Sequence, residues 1–264
     1  MPVRLDPTAR QSLSWWLPVL LLALWLKQHY SVADAMQLQW ILQPLADLLG
    51  LVSGNAFQRA ANGDWFSISA DIRLVKSCAG INFMLMSLLA YAWTFRPDER
   101  ARPQTLVWYG TRVLLLAAIS IAAWSTALAA NLVRILLAMN LQTDDSLVHT
   151  IGLDDSEVHR LIGLAVYLPL LALQMMAAGR ANRKQVILLP VLLYLLLMVV
   201  VPMLNGNAMR NPELFFNHLL QLGFACTLFS GLLYLLMPNI RDKPGSFGAK
   251  FKQKRLTECK NSYM

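Results

Sequence analysis

The stretch MQLQWILQPLADLLGLV, Met36 to Val52, decides how the rest of the chain is threaded. Its apolar residues recur at Leu38, Ile41, Leu42, Leu45, Leu48, Leu49 and Val52, opposed by Gln39, Gln43 and Asp47, which is the spacing of a helix with one apolar stripe. Pro44 and Asp47 make it a poor membrane span, so the pattern predicts a helix lying on a membrane surface. If it crossed instead, every later loop would change sides and the charge pattern of the chain would be inverted.

The rest of the chain has the composition of a membrane protein: 264 residues, 56% hydrophobic and only 14% charged. A net charge of +8 raises the question of nucleic acid, but the basic residues lie in short segments between apolar runs rather than in a patch on a soluble fold. A nucleic-acid partner is therefore set aside. A bilayer core takes about 20 apolar residues of helix. Six stretches qualify, at about 13–30, 79–95, 107–136, 160–178, 186–204 and 214–237. The first follows Arg4 and Arg10 and resembles a signal sequence, yet no small-residue cleavage site follows it, so it reads as an uncleaved span.

Charge orients these spans. Arg4 and Arg10, then Arg96, Arg100 and Arg102, then Arg180, Arg183 and Lys184, and finally the basic tail at 238–264 fall on one side of a six-span chain. The positive-inside rule makes that side cytoplasmic, with both termini there. The loop from Leu141 to Val158 holds Asp144, Asp145, Asp154, Asp155 and Glu157 without Lys or Arg, and faces outward. Between the surface helix and the second span, the turn signal Asn62-Gly63-Asp64 and the partial alternation in WFSISADIRLV (residues 65–75) predict one or two short strands. The expected fold is an all-α integral membrane protein, a single polytopic domain of about six helices. A surface helix and a small β-like part form an outer cap over residues 31–77.

The three cysteines, Cys78, Cys226 and Cys259, sit in unlike settings and suggest no disulfide framework. Cys78 falls at the outer end of the second span, in RLVKSCAGINF (residues 73–83). Ser77 is placed to cap that helix, and the helix N-terminus and Lys76 favour a thiolate. Without further support, a Cys at an apolar boundary reads as a small packed residue. The third span adds Asn131 and Arg134, one helical turn apart on one face. Arg134 lies 22 residues beyond Arg112, hence ~33 Å along the helix axis. An arginine at that outer edge either snorkels to headgroups or serves a polar site. The fourth span opens DDSEVHRLIG (residues 154–163), with His159 in its first turn; His149, in the acidic loop, is a less constrained rival.

Cys78, Arg134 and His159 thus reach one depth from three helices. Thiol acyl transfer needs these types together: a thiolate nucleophile, a donor for the oxyanion and a histidine to move protons. Asn131 either orients Arg134 or donates to the same oxyanion, and Asp154, Asp155 or Glu157 is placed to steer the imidazole. Gly80 would let a substrate backbone approach the thiol. No metal or cofactor is implied: neither histidine begins an H-E-x-x-H or comparable ligand set.

With SCAGI around Cys78 and Gly80, NLVR holding Asn131 and Arg134, and HRLIG holding His159 and Gly163, the chain resembles the exosortase and archaeosortase family of multi-pass membrane cysteine peptidases. The resemblance covers roughly Met36 to Ala178. It implies a transpeptidase in the bacterial inner membrane that cleaves C-terminal sorting signals of the PEP-CTERM type through a thioester on the cysteine. Its partners would be a membrane-anchored substrate, the lipid bilayer and a surface acceptor, such as a surface polymer. Ala79 stands where other members carry serine. Two rivals remain at this point, a small transporter or channel and a non-catalytic membrane scaffold. The run VILLPVLLYLLLMVVVPML (residues 186–204) has only Tyr194 among polar types, which speaks against a polar transport path.

Overall fold

The computed structural model describes residues 7–97, 106–142, 155–177, 181–204 and 212–237, and these are largely helical. Helix α1 (Pro7–Val32) leads into α2 (Gln39–Ser53) and three short strands, β1 (Gln58–Arg59), β2 (Trp65–Ser67) and β3 (Ile72–Leu74). A 3-10 turn (Lys76–Ala79) then precedes α3 (Ile81–Thr94), α4 (Leu106–Gln142) and α5 (Asp155–Ala177). Helix α6 (Arg183–Leu195) continues through a π-helical turn (Leu196–Val200) and a last turn (Val201–Leu204), and α7 (Pro212–Leu236) follows.

Five helical stretches among the described residues are long and apolar enough to cross a membrane: Lys76–Thr94, Val107–Leu141, Val158–Ala177, Arg183–Met203 and Phe215–Leu236. They coincide with the last five stretches expected from the sequence. Helix α1 is 26 residues long but is not among them, because serines and tryptophans dilute its start and Lys27, Gln28 and His29 its end. Along α7, Phe216, Leu220, Phe224, Leu228, Leu232 and Leu236 are all exposed, and Leu188, Leu192, Leu196 and Val200 repeat that spacing from α6 onward. Apolar stripes that face outward reverse the pattern of a water-soluble helix and suit a lipid solvent. The protein is membrane-embedded.

The chain packs as two compact units, one of residues 1–92 and 96–167, the other of 93–95 and 168–264. In the first, α2 is held by Leu38, Ile41, Leu42, Leu45 and Leu49, all fully buried. Each such side chain contributes about 1.5–3 kcal/mol relative to exposure in water. The helix packs against α4, the 3-10 turn and β2. Two of the residues assigned to its faces by periodicity behave otherwise. Val52 is exposed, whereas Gln39 turns inward: its Nε2 donates to the carbonyls of Ala35 (2.8 Å) and Gly63 (2.7 Å), and its Oε1 accepts from Trp65 Nε1 (2.9 Å). A carboxamide with its donors and acceptor satisfied is stable where a lone polar group is not.

Three strands form where one or two were expected, an antiparallel meander in the order β1-β2-β3. The Asn62-Gly63-Asp64 turn joins the first two. Gly63 has φ +89°, and a Cβ there would sit 2.5 Å from the backbone nitrogen of Met36, so no other residue fits. Asp64, itself buried, accepts from Arg73 Nε (3.0 Å) and Nη2 (2.7 Å) and from Asn62 Nδ2 (2.8 Å), which ties β3 to the turn. Such charge-assisted bonds are the stronger kind.

In the second unit, α6 begins with a capping box between Asn182 and Gln185. Its π-helical turn lies directly before Pro202, whose missing N–H removes a regular helical bond. The Arg183 guanidinium stacks 3.8 Å from the Tyr234 ring centre and donates to that residue's carbonyl, joining α6 to α7. Cys226 is buried on α7 and lines a groove against α6.

Candidate active site

Cys78 lies one step away from where helix capping would put it. The chain turns through a 3-10 helix at Lys76–Ala79, reverses at Gly80 with φ +65°, and only then enters α3 at Ile81. Cys78 belongs to that turn, where its N–H donates to the Val75 carbonyl (2.8 Å). Ser77 therefore does not cap α3; it is exposed, and the turn has no side-chain cap. Lys76 is likewise not aimed at the sulfur. Its Nζ donates to the carbonyls of Ala33 (2.6 Å) and Ser31 (3.3 Å) and sits 5.1 Å from the centre of the Tyr30 ring. It fastens the turn to the end of α1. A second tie runs from Lys27 Nζ to Asn82 Oδ1 (2.8 Å) in the first turn of α3. The thiol is consequently held by both flanks, at 8% exposure.

Helix α4 presents Asn131 to this turn and Arg134, one helical turn further on, to Gly163 and Tyr167 of α5. Asn131 is 0% exposed, and its carboxamide fills the space beside Gly80: a Cβ on Gly80 would lie 1.7 Å from Nδ2 and 2.6 Å from Cγ. The glycine thus makes room for Asn131, which corrects the expectation that it makes room for a substrate backbone. Two donors on this face, Asn131 Nδ2 and Arg134 Nε, are buried with no hydrogen-bond partner. Buried donors are nearly always paired, so an orphaned pair one helical turn apart beside a thiol is a place where an acceptor belongs.

Helix α5 closes the group. Its Gly163 faces Arg134, whose Cδ would be 3.7 Å from an added Cβ, and its Tyr167 stacks on Phe83 of α3 with ring centres 4.3 Å apart. The Tyr167 hydroxyl donates to Asn131 Oδ1 at 2.7 Å. His159 is half-buried in the first turns of the same helix, four residues before Gly163 and eight before Tyr167. Residues at that spacing share a face, so the histidine stands one turn above the glycine on the side that meets Arg134. The acidic residues considered for steering it lie outside the description: Asp154 and the rival His149 are beyond the described residues, and the side chains of Asp155 and Glu157 are not among those described. Cys259 also falls outside the described residues.

Sequence reasoning missed two tyrosines. Tyr167 bonds Asn131 with its ring centre 5.8 Å from the Arg134 guanidinium, and the Tyr30 ring centre lies 5.1 Å from Lys76 Nζ of the 3-10 turn. Tyr167 had a signal, being a polar aromatic eight residues after His159 on one helix face. Tyr30 had none, because only the folded chain brings the end of α1 against the 3-10 turn. No family model, curated protein or solved structure matches the chain.

Proposed function

We propose that the protein is a membrane-embedded cysteine transpeptidase that cleaves C-terminal sorting signals of exported proteins, with Cys78 as nucleophile. The observation that carries this reading is the pairing of a thiol on a rigid turn with two unpartnered buried donors on the facing helix. Acyl transfer needs that combination, because the tetrahedral intermediate places a full negative charge on oxygen. The likeness of SCAGI, NLVR and HRLIG to the exosortase and archaeosortase family supports the same reading.

The chemistry runs in two halves. His159 takes the Cys78 proton as sulfur attacks the scissile carbonyl, and the oxyanion is met by Arg134. Collapse breaks the C–N bond; His159 returns the proton to the leaving amine and a thioester remains on Cys78. An acceptor amine or water then attacks that thioester and restores the thiol. A substrate with its own membrane helix presents its cleavage point at a fixed depth, which lowers the entropic barrier to meeting a site at that depth.

The finer topology belongs to the same proposal. Helix α1 is the first of six spans, α2 and the sheet form an extracytoplasmic cap, and both termini and the basic tail are cytoplasmic in the bacterial inner membrane. Ile68, 82% exposed at the tip of the β2–β3 turn, offers a test. A lone cysteine placed by Ile68→Cys in a cysteine-free chain is expected to react in intact cells with a membrane-impermeant maleimide, and Cys259 as the lone cysteine is not. Labelling of Cys259 alone would invert the topology.

The catalytic reading is tested by trapping the intermediate. Co-expression with a protein ending in a short motif, an apolar helix and basic residues is expected to give a covalent adduct on Cys78 that neutral hydroxylamine releases, whether or not Cys226 and Cys259 are replaced. An adduct that persists in Cys78→Ala, or cleavage with none formed on Cys78, would sink the proposal.

A further inference from the structure

Tyr167 does more than pack. Its ring lies flat against Phe83 (interplanar angle 16°) and the residue is 4% exposed, so its hydroxyl has a fixed position. That hydroxyl has one proton and can also accept. On one side stands the Arg134 guanidinium, its carbon 5.8 Å from the ring centre. A carboxamide oxygen only accepts, so the phenol proton goes to Asn131 Oδ1, at 2.7 Å.

The direction of this bond settles which way the Asn131 carboxamide faces. The group is planar, with oxygen and nitrogen on opposite edges. With Oδ1 held by the Tyr167 proton, Nδ2 is turned to the Gly80 edge, where a side chain at residue 80 would collide with it. There it is fully buried and without an acceptor. Leaving a buried donor unsatisfied is costly, and that cost persists in the resting protein and is relieved when an acceptor arrives.

We infer that Tyr167 is a positioning residue that holds Asn131 as an oxyanion donor, through the hydrogen bond from its hydroxyl to Asn131 Oδ1. This rests on the transpeptidase reading. When the Cys78 sulfur adds to the substrate carbonyl, the carbonyl π electrons move onto oxygen, and Asn131 Nδ2–H meets that oxygen without first breaking another bond. No proton is transferred along this bond; the phenol hydrogen stays on Tyr167.

The test uses the full-length protein in detergent with the same helix-bearing substrate, following the rate of thioester formation on Cys78 in a single turnover as substrate is varied. Tyr167→Phe keeps the ring and its stacking and removes only the hydroxyl. It is expected to lower the maximal acylation rate on the order of 10-fold to 100-fold, with the half-saturating substrate concentration unchanged. Asn131→Asp, nearly the same shape but with an acceptor facing Gly80, is expected to lose roughly 100-fold or more. The double variant Tyr167→Phe/Asn131→Ala should be no slower than Asn131→Ala, because Tyr167 has nothing left to position. Thermal unfolding of each variant, measured in parallel, separates this from a structural role: Tyr167→Phe should acylate slowly while unfolding near the wild-type temperature. Wild-type acylation by Tyr167→Phe, a purely additive double variant, or slow acylation only in step with lost stability would overturn the inference while leaving Cys78 chemistry intact. Normal processing by Cys78→Ala would instead overturn the transpeptidase reading and the inference with it.

Discussion

Cys78→Ala is expected to reduce processing of a co-expressed sorting-signal substrate to background while the protein still inserts in the membrane. The side chain is small and the turn that holds it is fixed by backbone and neighbouring ties, chiefly Lys76 to the carbonyls of Ser31 and Ala33, so removing the sulfur takes away the nucleophile and little else. The other two members of the site should be graded. His159→Ala is expected to lower the rate about 100-fold to 10,000-fold, the usual worth of a positioned acid–base group. Arg134→Ala is expected to lower it roughly 100-fold to 1,000-fold, the worth of one oxyanion donor. Arg134→Lys is the sharper variant: a lysine keeps the charge but has no Nε donor at the buried position and no planar fork. It should remain within about a factor of ten of the alanine variant. Quantitative blotting of precursor and product, with membrane fractions assayed for the protein itself, separates lost chemistry from lost insertion. Normal cleavage by Cys78→Ala, or full activity in Arg134→Lys, would contradict the roles assigned to these groups.

Gly80→Ala should be among the most destabilising single changes in the chain. The residue has φ +65°, and an L side chain in that region costs about 1–2 kcal/mol. The new Cβ would also lie 1.7, 2.6 and 2.9 Å from Nδ2, Cγ and Oδ1 of Asn131, so the whole carboxamide must leave a site in which it is fully buried and bonded to Tyr167. Overpacking of this kind adds ~1–3 kcal/mol. Together the two effects give about 2–5 kcal/mol, visible as a lowered thermal unfolding temperature in detergent. The compensating change isolates the cause. Gly80→Ala/Asn131→Gly relieves the collision and should recover the overpacking part of the loss but none of the acylation rate, because the donor is gone. If Gly80→Ala alone behaved as wild type in both stability and rate, the packing of Asn131 against this turn would be wrong. Gly163→Ala is the contrasting control: its Cβ would meet Arg134 and Tyr167 at 3.7 Å, an ordinary contact, and it should fold normally.

The sequence by itself determined the apolar framework. Length and hydropathy located five stretches that form membrane-compatible helices, and the stripe in Met36–Val52 identified α2 as an amphipathic helix. Asn62-Gly63-Asp64 marked the turn that joins the first two strands. These features are legible because each is a local period or a local dihedral demand, fixed within a few residues of chain. The faces assigned at the stripe's margin were less secure: Gln39 turned inward and Val52 outward, since a polar side chain goes wherever its partners are. The candidate site divided along the same line. Cys78, Arg134 and His159 were legible as candidates from residue type and position along the chain, but the reasons offered for Ser77 and Gly80 were not the ones the fold uses. Only the tertiary structure put Cys78 in a 3-10 turn with a left-handed glycine between it and α3, brought Tyr30 from α1 against Lys76 of that turn, and bonded the Asn131 carboxamide to Tyr167 from 36 residues away in the chain. Hydropathy along a chain dictates which surface an element buries, whereas the pairing of buried donors and acceptors depends on distances of a few ångströms between different elements, and those exist only once the chain has folded.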